Sequence, residues 1–325
     1  MGIHALYAQA MVATDQRFDS FIHEMKPHPG QVWTAGQMRE FLDGSAMIRS
    51  ERGGDRSHRA GGLIQDRYGI PCMPQYVGPI VDALAVATRQ INIEANCAND
   101  NPLIDPDSGQ ILHTGNFLAR YTGVAMDSVR FHVGMLAKHL DSQIALLMTP
   151  EFSNGLSASL VANTEAGLNV GFKSLGVNGN QMMPLLGFYG QSVIDKFPTH
   201  AEQYNQNINS QAMNAANLTR DALDVLEHLS VALLIGVQAV ELRAKLTADT
   251  YDASQVLSPK SAELYVAART AAAGPPRSER PVQLNDLDSF TLPMVEGILN
   301  EVSRGGSILQ SIDGVTKALD YYAGQ

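Results

Sequence analysis

Apolar residues recur at steps of three and four along residues 197–246, which is the spacing of one helical face. The recurring positions are Ala222, Leu226, Leu229, Leu233, Val237, Val240 and Ala244. Thr199 and Glu202 have the spacing of a capping box, so we expect one helix to begin near His200 and to run unbroken to Lys245. At 1.5 Å per residue it would be roughly 65–70 Å long, which exceeds the width of a compact domain of this size. Such a length indicates a large bundle, as in an oligomer.

The beginning of this predicted helix is polar. Glu202, Asn205, Gln206 and Asn209 are spaced so that they would form one stripe on a helix. Five asparagines between positions 205 and 217 weaken helix formation there. The stripe could direct a carboxylate and several carboxamides into a cavity. Alternatively, it could be a capping glutamate with a solvated first turn, or amides that pair across a subunit contact.

The remaining pattern also predicts helices. They are expected over residues 1–14, 31–42, 79–98, 115–148 and 184–193, with a shorter helix from residue 258 and two more in the C-terminal part. The region 231–237 is apolar on all sides, so we expect the central helix to be buried there all round. No run alternates with period two over a useful length. The sequence therefore predicts a mainly α protein.

Composition narrows the classes of function. Of the 325 residues, 45% are hydrophobic and 17% are charged, which is the balance of a globular protein with a large core. The net charge of −10 and the lack of a Lys/Arg run argue against nucleic acid as a partner. The longest apolar run, residues 231–237, is too short to span a membrane. Two cysteines and no recognisable signal peptide fit a cytoplasmic protein.

Several motifs resemble the aromatic amino-acid lyase family in order and spacing. They are Gln65-Asp-Arg-Tyr68, Asn99-Asp-Asn-Pro-Leu103, Gly115-Asn-Phe117 and Thr199-His-Ala-Glu-Gln-Tyr-Asn-Gln206. This family contains the histidine, phenylalanine and tyrosine ammonia-lyases and the related 2,3-aminomutases. Residues 26–31, 138–140 and 150–155 are most similar to bacterial phenylalanine ammonia-lyases.

The resemblance implies a large bundle of very long antiparallel helices with an oligomeric core and a fumarase/aspartase-like architecture. Residues 1–250 would be the central helical-bundle region, and residues 251–325 a small C-terminal helical region. The family forms tetramers whose active site takes groups from three subunits. We therefore expect a homo- or hetero-oligomer that acts on a small molecule.

The resemblance also implies a chemistry, the elimination of ammonia from phenylalanine or tyrosine to give an arylacrylate. The benzylic proton that must leave is barely acidic, and no natural side chain is an electrophile of the kind required. The family uses methylidene-imidazolone (MIO), a prosthetic group formed from an internal Ala-Ser-Gly. A metal is not implied.

Residue roles follow from the same resemblance. Tyr68 would lie beside the prosthetic group near the proton to be removed, and Glu202 near the substrate amine. The implied substrate-binding residues are Gln65, Phe117, Lys173, Asn205 and Gln206. Simpler interpretations remain, since Tyr68 could only tie down its loop, Phe117 could be a core residue and Lys173 a surface charge.

The sequence departs from the family in lacking the Ala-Ser-Gly. The one Ser-Gly is Ser108-Gly109, which follows Asp107 in a turn-like segment. The chain begins abruptly, apolar from its third residue, in what would be the middle of a family member. We therefore expect this chain to form no MIO, and a partner chain resembling the N-terminal half to supply it. Whether that half is a separate subunit or has been cut away is left open.

A second departure concerns substrate binding. The family pattern Gln-Asp-x-Tyr-x-x-Arg ends here in Pro71, where the arginine would clamp the substrate carboxylate. Loss of one side of a buried charge pair costs about 2–5 kcal/mol. Arg120, one turn beyond Phe117, is a candidate substitute, or else a surface or interface residue.

Three hypotheses result. The first is the C-terminal subunit or fragment of an aromatic ammonia-lyase that needs a partner chain carrying MIO. The second, motivated by Pro71, is an aromatic 2,3-aminomutase or a divergent lyase or isomerase whose substrate has no free carboxylate. The third is a non-catalytic structural partner subunit.

Overall fold

The computed structural model describes residues 1–50, 65–196, 205–226, 228–286 and 291–324. Within them the chain is mainly helical, which confirms the predicted fold class. The helices are α1 (Gly2–Ala10), α2 (Ser20–Glu24), α3 (Pro29–Leu42), α4 (Met73–Ala95), α5 (Arg120–Leu147), α6 (Lys173–Tyr189), α7 (Ala212–Leu226), α8 (Leu229–Ala248), α9 (Pro259–Ala273), α10 (Thr291–Ser303), α11 (Ser307–Ser311) and α12 (Asp313–Ala323). Two short antiparallel strands, β1 (Leu103–Ile104) and β2 (Ile111–Leu112), form a hairpin.

Contacts divide the chain into two compact units. The first unit contains Met1–Pro79, Lys138–Met183 and Glu227–Leu319. The second contains Ile80–Ala137, Pro184–Leu226 and Asp320–Gln325. Neither unit has a boundary at residue 250, and the predicted regions 1–250 and 251–325 stay a prediction.

The core of the first unit is built around α8. Every residue from Ser230 to Ala244 is buried, which confirms that the apolar run 231–237 is enclosed on all sides. Helix α1 packs on α8, and the Tyr7 hydroxyl donates a 2.8 Å hydrogen bond to the Ala232 carbonyl. By length and composition the stretch Ala212–Ala248 could cross a membrane, but 65% of its most apolar window is buried within the protein. A core helix has this property too.

The core of the second unit lies among α5, α6 and α7. Val133, Leu186 and Ala222 are its buried centre, one residue from each helix. The first turns of α5 and of α7 lie outside this buried centre, and each follows a polar segment that carries candidate site residues.

The central helix begins later than predicted. Residues 205–211 are not helical, and α7 begins at Ala212 rather than near His200. The proposed capping box of Thr199 and Glu202 lies outside the described residues. Position 227 also lies outside them, between α7 and α8, so an unbroken helix through it stays a prediction.

The prediction that Asn205, Gln206 and Asn209 share a helical stripe is therefore wrong. The Asn209 side-chain oxygen accepts a 2.8 Å hydrogen bond from the Gln211 amide, and Gln211 has a positive φ of 57°. Short polar side chains that bind nearby main-chain groups compete in this way with helix formation. Residues 205–211 therefore remain non-helical up to the start of α7.

Candidate functional site

Tyr68 lies in the turn that precedes α4, in the first unit. Its side chain is 70% exposed, and Gln65 in the same motif is also exposed. The residues between and after them are fixed, because Asp66 is buried and Ile70 is only 4% exposed. The motif therefore holds its backbone firmly and presents two side chains to solvent.

Asp66 is the main anchor of this segment. One carboxylate oxygen accepts hydrogen bonds from the Thr14 amide at 2.9 Å and the Thr14 hydroxyl at 2.8 Å. The other accepts one from the Arg49 guanidinium at 3.0 Å. Arg67 adds a contact, because its guanidinium lies 4.9 Å from the centre of the Phe152 ring. The hydrogen bonds that the Asp66 carboxylate accepts are charge-assisted, and bonds of this kind are shorter and stronger than neutral ones.

A second anchor holds the backbone just after Tyr68. The Gln143 side chain on α5 donates a 2.6 Å hydrogen bond to the Gly69 carbonyl. Its side-chain oxygen lies 2.7 Å from Nδ1 of His4 on α1. His139, one turn before Gln143, is buried and has its ring edge-to-face with His4 at 5.0 Å. Sequence reasoning missed this cluster because its members come from three separate parts of the chain.

Pro71 is half-buried in the last turn before α4. It follows Ile70, whose amide donates to the Arg67 carbonyl at 2.9 Å, and a proline is compatible with this position because helix beginnings need few amide donors. It supplies neither a charge nor a donor to a ligand.

Phe117 lies in a short 3₁₀ turn just before α5, in the second unit, and is 39% exposed. The alternative that it is a core residue is therefore wrong. Hydrogen bonds connect its motif and the Asn99–Leu103 motif, each to the residue next to the other one, since Asn101 accepts from the Thr114 amide at 2.8 Å and Asn116 donates to the Ala98 carbonyl at 3.4 Å. The β1–β2 hairpin between them brings the two motifs together.

Arg120 is the first residue of α5 and is exposed. Its Nη1 donates to two main-chain carbonyls, to Ile194 at 3.0 Å and to Ser210 at 3.5 Å. The guanidinium thus connects the start of α5 to the chain at Ile194 and at Ser210. A role of Arg120 as the carboxylate ligand stays a prediction.

The remaining predicted residues are distributed as follows. Asn205 is exposed and Gln206 half-buried, in the non-helical segment before α7 of the second unit. Lys173 is exposed at the start of α6, within the first unit. Glu202 lies outside the described residues. Gln65 and Tyr68 are brought together by their turn, and Phe117 and Arg120 by theirs.

A buried ion pair supports the second unit. Arg130 is completely buried and donates to Asp127, three residues earlier on α5. Burial alone would raise the pKa of Asp127, but hydrogen bonds from Ser192 and Arg130 outweigh it and lower that pKa below its ordinary value. Sequence reasoning missed the pair, because Asp and Arg three apart on a helix are equally typical of a solvated surface.

The comparisons with known proteins agree with the motifs. The model of the aromatic amino acid lyase family matches residues 1–270. The chain belongs to the aromatic amino acid lyase family. Family membership fits the motifs whose geometry is described above.

Two curated members of the lyase family are similar along nearly the whole chain. The aromatic ammonia-lyase of Loktanella atrilutea is 57% identical over 323 residues, which cover 99% of this chain and 59% of that protein. The phenylalanine ammonia-lyase of Nostoc punctiforme is 47% identical over 320 residues, covering 98% of this chain and 56% of that protein. The chain thus spans somewhat over half the length of these relatives.

Solved structures of the lyase family share the fold. Tyrosine aminomutase from Streptomyces globisporus has a TM-score of 0.79 at 25% identity, over 96% of this chain and 57% of that one. Phenylalanine ammonia-lyase from Rhodosporidium toruloides has a TM-score of 0.82 at 21% identity, over 98% of this chain and 63% of that one.

Proposed function

We propose that this chain carries part of the active site of an aromatic amino-acid ammonia-lyase, which eliminates ammonia from phenylalanine or tyrosine. The observation that carries the proposal is the construction of the Tyr68 turn. Asp66 and the Gly69 carbonyl are held by hydrogen bonds from Thr14 and Gln143, while the Tyr68 side chain is 70% exposed. A tyrosine that only fastened its own loop would be buried or hydrogen-bonded within it.

The proposed chemistry divides the work between this chain and a prosthetic group. MIO, when bound, supplies the electrophile that makes the elimination possible. In this chain the one Ser-Gly, at residues 108–109, lies in the exposed tip of the β1–β2 hairpin, where Ser108 donates to Asp105 at 2.5 Å. That open turn does not fit the formation of MIO, so we place its source outside these residues, on a partner chain related to the N-terminal half.

The residues of this chain would act on the substrate directly. The Tyr68 hydroxyl is a candidate general base for the benzylic proton, and general bases of this kind contribute about 10²–10⁴-fold to a rate. Gln65, Asn205 and Gln206 would hydrogen-bond the substrate or the prosthetic group, and Phe117 would pack against the electrophile. Lys173 and Glu202 would lie around the substrate's ring and amine. We further propose an oligomeric, cytoplasmic assembly, in keeping with two free cysteines.

The test is complementation with the missing part. This chain is co-expressed with the portion of the Loktanella relative that it does not cover, and arylacrylate absorbance is followed with phenylalanine and tyrosine. Turnover is expected, and Tyr68→Phe should reduce kcat by at least a hundredfold. Tyr321→Phe is the matched control, because Tyr321 is also exposed, at 73%, and lies on α12. A stable complex without turnover of any substrate would support the structural-subunit hypothesis instead.

A second candidate function is favoured by Pro71. A divergent lyase or isomerase whose substrate lacks a free carboxylate would not need the missing arginine. In that case phenylalanine amide should have a higher kcat/KM than phenylalanine, and Pro71→Arg should reverse the preference. If the substrate is the free amino acid, Pro71→Arg should lower its KM by about 30-fold or more, corresponding to 2–5 kcal/mol for a buried charge pair.

A further inference from the structure

One face of α5 in the second unit carries four residues that contact two other chain segments, three of them both segments and Asp127 the first only. They are Arg120, Gly123, Asp127 and Arg130, spaced three to four residues apart and therefore aligned along the helix. The first segment is residues 189–194, which begin at the last residue of α6, and the second is residues 210–219, which include the first turns of α7. The chain between these segments carries Asn205 and Gln206.

Asp127 holds the first segment. One of its carboxylate oxygens accepts hydrogen bonds from the Ser192 hydroxyl at 2.6 Å, the Val193 amide at 3.0 Å and the Ile194 amide at 3.3 Å. Three donors on consecutive residues fix the direction in which the chain leaves α6. A neutral side chain of the same size would lack the charge that strengthens all three.

Arg130 joins the two segments. Its Nε donates to the Tyr189 carbonyl at 2.8 Å, and Nη1 donates to the Ala215 carbonyl at 2.6 Å and the Thr219 hydroxyl at 3.3 Å. Nη2 donates to Asp127 and, at 3.2 Å, to the Gln191 carbonyl. The side chain is fully buried, so these bonds are made without competition from water.

The same two segments meet again one turn earlier. Arg120 donates to the Ile194 and Ser210 carbonyls, as described above. A Cβ atom on Gly123 would lie 3.1 Å from a methyl carbon of Ile194 and 3.2 Å from the Ser210 carbonyl oxygen. Only glycine lets both segments approach α5 so closely. The two ends of the stretch that carries Asn205 and Gln206 are thus fixed on one helix face.

We infer that Asp127 and Arg130 are positioning residues that set the location of Asn205 and Gln206 for substrate binding. Neither touches the substrate. They act by fixing both ends of the chain that bears the two carboxamides, and a displacement of about 1 Å at a positioned group can cost about a hundredfold in rate. This inference rests on the proposed function only for the role of Asn205 and Gln206. The hydrogen bonds by which Asp127 and Arg130 fix the two segments do not depend on that function.

The first test needs no turnover. Amide hydrogen exchange is measured on the full chain and its Asp127→Asn variant. Exchange should accelerate at least tenfold at residues 191–194 and 205–211, with α8 unchanged. Asp141→Asn is the matched control on the same helix, because Asp141 is partly exposed and contacts only the exposed Asn180, at 3.4 Å, among the described polar side chains. Unchanged exchange at residues 205–211 overturns the inference whether or not the chain is an enzyme.

The second test uses the complemented enzyme and separates positioning from general stability. Asp127→Asn should lower kcat/KM by about 10- to 100-fold, and Asn205→Ala in that background should cause no further loss, because both changes remove the same interaction. Additive losses overturn the positioning role. Ser192→Ala, which removes one hydrogen bond, is the milder variant if Asp127→Asn fails to fold, and should give a smaller loss with the same non-additivity. A wild-type complex without turnover refutes the proposed function. The exchange measurement then still tests whether Asp127 fixes residues 205–211.

Discussion

Acid should destabilise the first unit through His139. This side chain is 5% exposed, stacks on the Tyr76 ring at 4.8 Å and meets the His4 ring at 5.0 Å. Within the described residues neither ring nitrogen makes a hydrogen bond of good geometry. Burial lowers the pKa of His139 from 6.5 to about 4, and the nearby main chain of Gly69 opposes this only in part.

The sign and size of the effect follow from linkage. The unfolded chain takes up the proton near pH 6.5, whereas the folded protein resists it until about pH 4. Stability is therefore complete above about pH 6.5 and is lost as the pH falls toward 4. With these two pKa values, His139 alone should remove about 2 kcal/mol of the free energy of unfolding between about pH 7.5 and pH 5. Burial also lowers the pKa of His4, which adds a loss of the same sign.

The assay compares urea denaturation at the two pH values for the wild type and His139→Leu. At pH 7.5 the variant should be within about 1 kcal/mol of the wild type, because it loses the stacking on Tyr76 but also removes two buried unsatisfied nitrogens. Between the two pH values it should lose about 2 kcal/mol less than the wild type. His113→Leu, which removes an exposed imidazole, is the control. Equal losses for His139→Leu and the wild type would refute the reasoning.

Two further predictions concern stability and are measured by urea denaturation at neutral pH. Glu241→Leu should lower the free energy of unfolding by about 3–5 kcal/mol, because it leaves the buried Arg269 guanidinium, 2.8 Å from the carboxylate in the native protein, without its charge partner; a loss below about 1 kcal/mol would contradict this. Gly78→Ala should lower the free energy of unfolding by about 1–3 kcal/mol, since the added Cβ would lie 2.7 Å from the main-chain nitrogen of Gln31. The control Gly187→Ala meets no atom within 4 Å and should be neutral or stabilising. If the two glycine variants behave alike, close packing is not the reason for Gly78.

The helices could be predicted from apolar spacing where the helix is long and one face is buried. Helix α8 is the clearest case, because its enclosure follows from residues that are apolar all round. Helix α6 begins at Lys173, well before the predicted residue 184, because Gly176, Gly179 and Asn178 disguise its first turns. The opposite error occurs at residues 205–211, where spacing predicts a helix and the structure has none. There a side-chain hydrogen bond to the main chain competes with helix formation.

Candidate site residues could be found in the sequence where they belong to a short motif. Gln65 and Tyr68 stand three residues apart in one turn, and a resemblance to a family identifies them together. The residues that hold such motifs could not be found in this way. Gln143 reaches Gly69 across 74 positions, and Arg130 reaches Ala215 across 85, so only the folded chain shows the connection.

The exposure of the motif residues separates function from stability. Tyr68 and Asn205 are exposed, so replacing either should cost little free energy of unfolding, and any loss of activity would then report on chemistry or binding. Asp66 and Asp127 are buried and accept several hydrogen bonds each, so replacing them should lower stability as well as activity. Loss of activity alone therefore cannot distinguish a residue that acts on substrate from one that holds it in place. Asp66 and Tyr68 are one residue of each kind within a single motif. The free energy of unfolding measured with each variant tells the two kinds apart.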